Sequence, residues 1–249
     1  MFILAIGDTH TDLHSINVAI DAMEKRFDIT PDLVLQVGDF GFYKDYGGWK
    51  AALKGLFKFR LPTIVVHGNH ENEASARAAM GEFGSLVPNF KCLKEGGEYY
   101  EFTKNGETVR IFGVGGAECV DSPPRNEYFA FNLNDYTEAF SRWQDISKPP
   151  PAIDILMTHE CPKGVGMKGN PRIAAMFGLP PNMECGDISL TRLWHAMRPR
   201  LQINGHHHRL HEYVSPAGLR HLTLPVSQVG FAVINTSDWS YTNVGVRRQ

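Results

Sequence analysis

Residues 2–10 read FILAIGDTH, a short apolar run that ends directly in a polar cluster. The run is rich in branched apolar side chains and is too short for a typical helix, which predicts a buried strand. The cluster that follows contains Asp8 and His10, two residue types that bind metal ions through oxygen and nitrogen. This stretch therefore predicts a strand that delivers metal ligands at its carboxyl end.

The same arrangement recurs four more times along the chain. Apolar runs at 33–37, 63–66, 153–157 and 201–203 each precede a polar cluster. In order, these clusters contain Gly38-Asp39, Gly68-Asn69-His70-Glu71, Thr158-His159 and Gly205-His206-His207-His208. Because ligands gather outside the carboxyl ends of parallel strands, we expect the five clusters to form one site.

Helical patterns lie between the predicted strands. Two examples are Leu13–Arg26 and Gly47–Phe59. Strands that alternate with helices favour parallel pairing in an α/β fold. At 249 residues, with 43% hydrophobic and 21% charged residues, the chain is predicted to form a single domain over residues 1–249.

Charge and hydropathy exclude several classes of protein. The net charge is −2 and no run of Lys or Arg exceeds two residues, which argues against a dedicated nucleic-acid surface. No apolar run approaches the about 20 residues that a membrane helix needs, and no signal-like segment precedes the first strand. We therefore expect a cytoplasmic protein that does not bind membranes, and the sequence leaves its oligomeric state open.

Four cysteines are scattered along the chain without the CxxC spacing of a zinc knuckle. They are Cys92, Cys119, Cys161 and Cys185. This spacing predicts free thiols, with neither a zinc knuckle nor a disulfide framework.

Two irregular stretches, 113–134 and 161–187, contain many Gly and Pro residues. Long irregular segments in compact domains often form lids or binding loops, so both are candidate substrate-binding or lid segments. Arg125 in the first stretch is a candidate phosphate ligand, and a solvated loop cation is an equal alternative.

The five clusters, in this order over residues 7–208, resemble the calcineurin-like metallophosphoesterase superfamily. The resemblance implies an α/β fold, a four-layer αββα sandwich of two mixed β-sheets flanked by helices. It also implies two metal ions with seven protein ligands. One metal would take Asp8, His10 and His208, the other would take Asn69, His159 and His206, and Asp39 would bridge both.

The ligand types and the chemistry constrain the cofactor. A mixed Asp, Asn and His set suits manganese or iron, with zinc or nickel as alternatives. Two cations would bind the phosphate oxygens and lower the pKa of a bridging water, so that hydroxide attacks phosphorus. His70 would then act as general acid or transition-state stabiliser. His207, between two ligands, is predicted to point outward or to support a ligand.

The sequence differs from well-known branches of this superfamily, and one difference makes a protein phosphatase function doubtful. Serine/threonine protein phosphatases carry a further Asp and Arg after the position of Asp39, and this chain lacks both. The residue that orients His70 is therefore open, with Asp45 and Glu71 as candidates. Glu71 is more simply interpreted as a carboxylate at a helix start.

A second branch of the superfamily is more similar in sequence to part of this chain. Residues 153–163, together with Gly38-Asp39-Phe40, are similar to RNA lariat-debranching enzymes, which cut 2′,5′-phosphodiesters. Those enzymes typically have Cys at the position of Asp8 and Ala at the position of Gly205. The first metal site therefore resembles that of generic two-metal phosphodiesterases.

Together, these features predict a metal-dependent phosphoesterase. A phosphodiesterase acting on a small phosphorylated, nucleotide or nucleic-acid-derived substrate is preferred to a phosphomonoesterase or a protein phosphatase. An alternative of another class is a non-catalytic scaffold with the same fold. Because all eight ligand and catalytic positions are filled, we favour the enzyme.

Overall fold

The structure is a computed structural model that describes residues 1–43, 48–117, 135–169, 171–176, 178 and 180–246. Its strands are β1 (Phe2–Ile6), β2 (Leu33–Gln36), β3 (Thr63–Val65), β4 (Phe90–Cys92), β5 (Glu98–Lys104), β6 (Glu107–Val114), β7 (Ile155–Thr158), β8 (Leu201–Asn204), β9 (His211–Val214), β10 (Arg220–Thr223), β11 (Gly230–Asn235) and β12 (Ser240–Gly245). Its helices are α1 (His14–Phe27), α2 (Gly48–Leu53), α3 (Glu73–Met80), α4 (Glu82–Ser85), α5 (Asp135–Asp145), α6 (Pro171–Met176) and α7 (Ile188–Met197). No helix within these described ranges combines the length and apolarity needed to cross a bilayer.

The strands form two six-stranded sheets. The first has the order β12-β11-β1-β2-β3-β4 and the second the order β5-β6-β7-β8-β10-β9. Both sheets are mixed, because β1 is parallel to β2 and antiparallel to β11, while β7 is parallel to β8 and β5 is antiparallel to β6. The strands that precede the five polar clusters therefore come from both sheets.

Alternating side chains explain the layers. Ile3 and Ala5 of β1 pack with Ile155 and Met157 of β7 in a core between the two sheets. Leu4 and its alternate neighbours face the other way, into a core under α1 to α3, because successive strand residues point to opposite faces. A third core lies under α5 and α7 on the outer face of the second sheet. The fold is the four-layer αββα sandwich that the resemblance implies.

The sequence predicted the strands near the site better than the helices. β1 matches its predicted range, and β2, β3, β7 and β8 are displaced by one or two residues at their ends. Helix α1 is displaced by one residue. The predicted helix Gly47–Phe59 is too long, because α2 ends at Leu53, where Gly55 adopts a left-handed φ of 70° and Leu56 N–H donates back to Ala51 O.

Candidate metal centre

Five strand ends bring the predicted ligands together. Asp8 and His10 follow β1, Asp39 follows β2 and Asn69 follows β3, all in the first sheet. From the second sheet, His159 follows β7, and His206 and His208 follow β8. The backbone amides of Thr9 and His10 both donate to Asp39 O, at 3.1 and 2.8 Å, which joins the first two loops. The seven side chains lie at one edge of the sandwich, where the carboxyl ends of strands from both sheets meet.

The outer group consists of Asp8, His10 and His208. The Nε2 atoms of His10 and His208 lie 3.1 Å apart, and His208 Nε2 is 2.9 Å from Asp8 Oδ2. Ligand atoms bound at about 2.0–2.1 Å to one cation are separated by about 3 Å, as these atoms are. The side chains of His10 and His208 are 32% and 48% exposed, whereas that of Asp8 is buried.

The inner group consists of Asn69, His159 and His206. Asn69 Oδ1 lies 3.0 Å from His159 Nε2, and Asp39 Oδ1 lies 3.3 Å from the same nitrogen. His159 Nδ1 faces Val37 O at 2.8 Å, so Nδ1 carries a proton and Nε2 is the nitrogen that faces the two oxygens. Three electron-pair donors that face one another in a buried space fit a cation between them.

His206 lies beside the inner group on the side of the second sheet, together with Glu160 and His207, and potential ligand atoms of these three residues are all within 4.8 Å of one another. Its ring packs edge-on against the His159 ring, with centroids 5.0 Å apart. Its Nε2 atom lies 3.7 Å from Glu160 Oε2. A neutral imidazole is the form that binds a metal, and burial lowers the pKa of His206 to about 4.

Asp39 lies between the two groups and faces both. Its Oδ1 atom accepts from His70 N–H at 2.9 Å and lies beside His159, whereas Oδ2 lies 3.8 Å from His10 Nε2. Oδ2 is buried and has no hydrogen-bond partner among the described atoms. A buried carboxylate oxygen without a donor is costly, so this orphaned atom fits a bound cation. The geometry suits a carboxylate that bridges two metals.

The charges of Asp39 and His159 are strongly linked. Burial favours the neutral form of each, but their mutual attraction outweighs it. The pKa of Asp39 therefore lies well below its usual range, and that of His159 rises to about 9. In the absence of a metal, Asp39 therefore stabilises a proton on His159 Nε2. A metal ion bound there would take the place of this proton.

The loops that carry these ligands adopt unusual backbone conformations. His10, Asp39, His206 and His208 have positive φ angles of 43°, 48°, 66° and 55°. For residues other than Gly, this left-handed region costs about 1–2 kcal/mol each. Such strain clusters at functional sites, where the surrounding structure holds the residue in place.

Two glycines allow the backbone to approach the carboxylates. A Cβ atom on Gly68 would lie 2.0 Å from Asp39 Oδ1, and one on Gly205 would lie 2.1 Å from Asp8 Oδ1. Because these positions lack a Cβ, His70 N–H can donate to Asp39 and His206 N–H to Asp8, the latter at 3.0 Å. Both carboxylates are thereby held in one orientation.

His70 lies beside the outer group. Its ring packs edge-on against the His10 ring at a centroid distance of 5.8 Å, and it is partly exposed. This position is compatible with a side chain that reaches a substrate bound at the centre.

Glu71 has a different role from the one predicted. Its carboxylate accepts hydrogen bonds from the amides of Phe40, Gly41 and Phe42, at 2.6, 3.1 and 2.6 Å. Helix α3 is capped by Asn72, whose side chain accepts from Ser75 N–H at 3.0 Å. The helix-start interpretation of Glu71 is therefore wrong, and its carboxylate shapes the loop after Asp39. Burial raises its pKa to about 7, against the amides of Phe42 and Phe40, which favour the ionised form.

Glu160 and Cys161 form contacts that the sequence did not predict. Glu160 Oε1 lies 2.8 Å from Nε2 of His207, whose side chain is only 9% exposed. His207 therefore does not point outward and instead supports the residues next to the ligands. Although burial disfavours the imidazolium, Glu160 raises the pKa of His207 to about 12. The only sequence signal for this contact was that Glu160 and His207 each adjoin a predicted ligand.

Two predicted positions cannot be placed. Arg125, the candidate phosphate ligand, and Asp45, a candidate to orient His70, both lie outside the described residues. The same holds for most of the 113–134 stretch. The 161–187 stretch is described except for residues 170, 177 and 179, and it contains α6 and two isolated β-bridges.

Comparisons with known proteins identify the family and the fold. A family model described as calcineurin-like phosphoesterase matches residues 1–210. The fold is similar to that of the protein TT1561 from Thermus thermophilus, with a TM-score of 0.69, 14% identity and 99% of each chain covered. No curated protein sequence significantly matches the chain.

Two further solved structures share the fold. Phosphopantetheinyl hydrolase from Mycobacterium tuberculosis has a TM-score of 0.53 at 15% identity, with 90% of this chain and 89% of that chain covered. GAP50 of Plasmodium, described as the anchor in the inner membrane complex, has a TM-score of 0.54 at 12% identity, with 100% and 90% covered. At these identities, the likeness concerns the fold alone.

Proposed function

Because the chain belongs to the calcineurin-like phosphoesterase family, we propose that it is a two-metal phosphodiesterase with a nucleotide or nucleic-acid-derived substrate. The observation that carries this proposal is the placement of Asp39, whose two oxygens face separate groups of ligands. The outer group comprises Asp8, His10 and His208, and the inner group comprises Asn69, His159 and His206.

Each proposed ligand type has a chemical reason. Asp39 is the carboxylate positioned to bridge, and Asp8 adds a second negative charge to the outer group. Asn69 contributes a neutral oxygen, so the ligand set carries two carboxylates for two cations. When bound, the metals would neutralise phosphate oxygens and lower the pKa of a water that serves as nucleophile. Manganese or iron suits this mixed set, with zinc or nickel as alternatives.

His70 is the proposed catalytic residue. It lies beside the ligands without belonging to either group, and its backbone is held by Asp39 Oδ1 at 2.9 Å. From this position, the imidazole can donate a proton to the leaving oxygen or a hydrogen bond to a phosphoryl oxygen. Either role contributes about 10²–10⁴-fold to the rate of comparable reactions.

The preference for a diester rests on two observations. The outer imidazoles are open to solvent, so an ester with substituents on both sides of phosphorus can approach. In addition, residues 153–163 are similar in sequence to enzymes that cut phosphodiesters. We propose that the segments 113–134 and 161–187 supply substrate selectivity within a single domain, with Arg125 as a phosphate contact.

Phosphomonoesterase, protein phosphatase and scaffold functions are the alternatives. The name of GAP50 describes an anchor, so this fold can be associated with a structural role. A full set of seven ligands with His70 beside them favours an enzyme here.

The test compares bis-p-nitrophenyl phosphate with p-nitrophenyl phosphate as substrates. Metal-stripped protein is assayed with and without added manganese, so the stripped protein serves as its own control. We expect manganese-dependent release that is faster from the bis-ester. Faster release from the monoester would indicate a phosphomonoesterase. No release from either substrate, with two metals bound, would contradict the proposal and favour a scaffold.

A further inference from the structure

Next to the candidate metal centre, two acceptor groups converge on one nitrogen of His207, and a third lies beside the same ring. Glu160 Oε1 lies 2.8 Å from His207 Nε2, and Cys161 Sγ lies 3.3 Å from the same atom. The Cys185 side chain is also within hydrogen-bonding range of this ring. One ring N–H directs a strong hydrogen bond to one acceptor, so a proton on Nε2 cannot serve Glu160 and Cys161 equally well.

The cluster is largely enclosed by protein. Cys161 is fully buried, Glu160 is 5% exposed and the His207 side chain is 9% exposed. Cys185 is partly exposed and completes the cluster from the surface side. A site with no open position and little solvent is typical of a structural metal site.

The backbone holds the two cysteines on facing segments. Asp187 N–H donates to Cys161 O at 3.0 Å, and Cys185 N–H donates to Met167 O at 2.9 Å. Pro162 and Asp187 also form an isolated parallel bridge. These contacts position both thiols independently of the His207 ring, so the convergence does not depend on one flexible side chain.

We propose that Cys161, Cys185, His207 and Glu160 form a third metal site, which binds a thiophilic divalent cation such as zinc. Two thiolates, one imidazole and one carboxylate are zinc ligands, and thiolates select zinc over manganese. Donors bound to one tetrahedral zinc are separated by about 3.2–3.8 Å, and the measured separations of 2.8 and 3.3 Å need only small adjustment. Binding releases the thiol protons of both cysteines and the Nε2 proton of His207 to solvent, because thiolate and neutral imidazole are the forms that bind a metal.

The proposed zinc would connect the 161–187 segment to the two-metal centre. Cys161 and Cys185 lie near the two ends of that segment, so the ion would link these two ends to each other. The second carboxylate oxygen of Glu160 lies 3.7 Å from His206 Nε2, and His206 is a proposed inner ligand. The zinc would thus hold Glu160 and, through it, the His206 ring. The proposal does not require phosphodiesterase activity, because it rests on a separate set of side chains.

The first experiment reconstitutes the metal-stripped wild-type chain with cobalt(II). Thiolate bound to cobalt(II) gives a charge-transfer absorption in the near ultraviolet, whereas oxygen and imidazole ligands do not. We expect this absorption together with about three metal ions per chain, two at the candidate centre and one at the cysteines. Absence of the band in the wild-type chain would refute the third site, whatever the phosphoesterase assay shows.

The second experiment uses Cys161→Ser, Cys185→Ser and the control Cys92→Ser. Cys92 is also buried, but it lies on β4 in the core under α1 to α3. We expect both test variants to lose the cobalt band and about one metal ion per chain, while Cys92→Ser retains both. A band that persists in Cys161→Ser and Cys185→Ser would overturn the proposal.

Limited proteolysis supplies a readout independent of metal content. If zinc links the ends of the 161–187 segment, a protease should cleave this segment several-fold faster in Cys185→Ser than in the wild-type chain. A simple ion pair between Glu160 and His207 predicts equal cleavage rates, with and without added zinc. Equal rates would therefore contradict the proposal.

Discussion

The outer and inner groups of the candidate centre differ most in their access to solvent. The outer imidazoles of His10 and His208 are 32% and 48% exposed, whereas Asn69 and His159 are at most 1% exposed. Electrostatic interactions are stronger in a buried environment, and ligand removal is more costly there. The inner group should therefore hold its metal more tightly, while the outer group is where substrate and solvent can enter.

The largest effect is expected at the residue that joins the groups. Asp39→Asn removes one negative charge and one oxygen ligand. Both metals should therefore bind more weakly, and the difference in metal affinity between the outer and inner groups should disappear. We expect metal content to fall from about two ions per chain to below about one, and turnover to fall by about 10³-fold or more. Elemental analysis and the ester assay measure both quantities.

A matched control for this substitution is Asp28→Asn. Asp28 also has a left-handed backbone, with a φ of 55° against 48° for Asp39, but it lies at the end of α1. The two changes share chemistry and backbone conformation, so Asp28→Asn controls for both, although Asp28 is exposed and Asp39 is buried. Equal metal content in the two variants would show that Asp39 does not bridge.

The next largest effect is expected when one ligand is removed from each group. His159→Ala tests the inner group and His208→Ala tests the outer group. The inner change leaves Asp39 buried without its facing imidazole, which costs about 3–5 kcal/mol in the free energy of unfolding. In the outer pair Asp8 is buried but His208 is 48% exposed, so solvent screens the pair and we expect a smaller loss of stability. Denaturant unfolding of the metal-free chains measures this difference.

Metal rescue gives the same pair of variants a second readout. Excess manganese should restore much of the activity of His208→Ala, because the outer group keeps Asp8 and His10. It should restore little in His159→Ala. Similar rescue of both variants would mean that exposure does not decide metal affinity, and the proposed contrast between the groups would be wrong.

The smallest of the three effects is expected for His70→Ala. His70 belongs to neither group, so both metals should remain, while turnover falls by about 10²-fold. The loss should be larger for an alkyl leaving group than for p-nitrophenolate, which needs less protonation. Full activity with either leaving group would remove His70 from the proposed mechanism.

The sequence predicted the ligand-bearing strands because each signal is local. In β1, an apolar run and its polar cluster are adjacent in the chain, so burial and the position of Asp8 can be inferred together. The edge strands β9 and β12 lack such a signal, since exposed polar residues alternate with partly buried ones. Their pairing depends on contacts with distant strands, which no short stretch of sequence contains.

Long-range contacts also explain what was missed at the site. Glu71 was assigned by its position before a helix, but its partners are the amides of residues 40–42. Cys161 and His207 are 46 positions apart, so their contact has no recognisable spacing. Only the fold brings these groups together.

The backbone at residue 205 lies close to the carboxylate of Asp8. Debranching enzymes differ from this chain at the positions of both Asp8 and Gly205. Here, a Cβ at residue 205 would lie 2.1 Å from Asp8 Oδ1. Asp8 in this orientation therefore requires Gly at residue 205 of this chain.

The left-handed ligands place stability and metal binding in opposition. Of these four ligands, His10 and His208 are partly exposed, and a glycine there would relieve about 1 kcal/mol or more of backbone strain and would delete a ligand. At His206 and Asp39 a glycine would also remove buried contacts, such as that of Asp39 with His159. A selection for heat resistance carried out without metal would therefore favour replacements that abolish the centre. Engineering of a more thermostable variant should keep these four positions constant and seek its gains in the helices, far from the sheet edge.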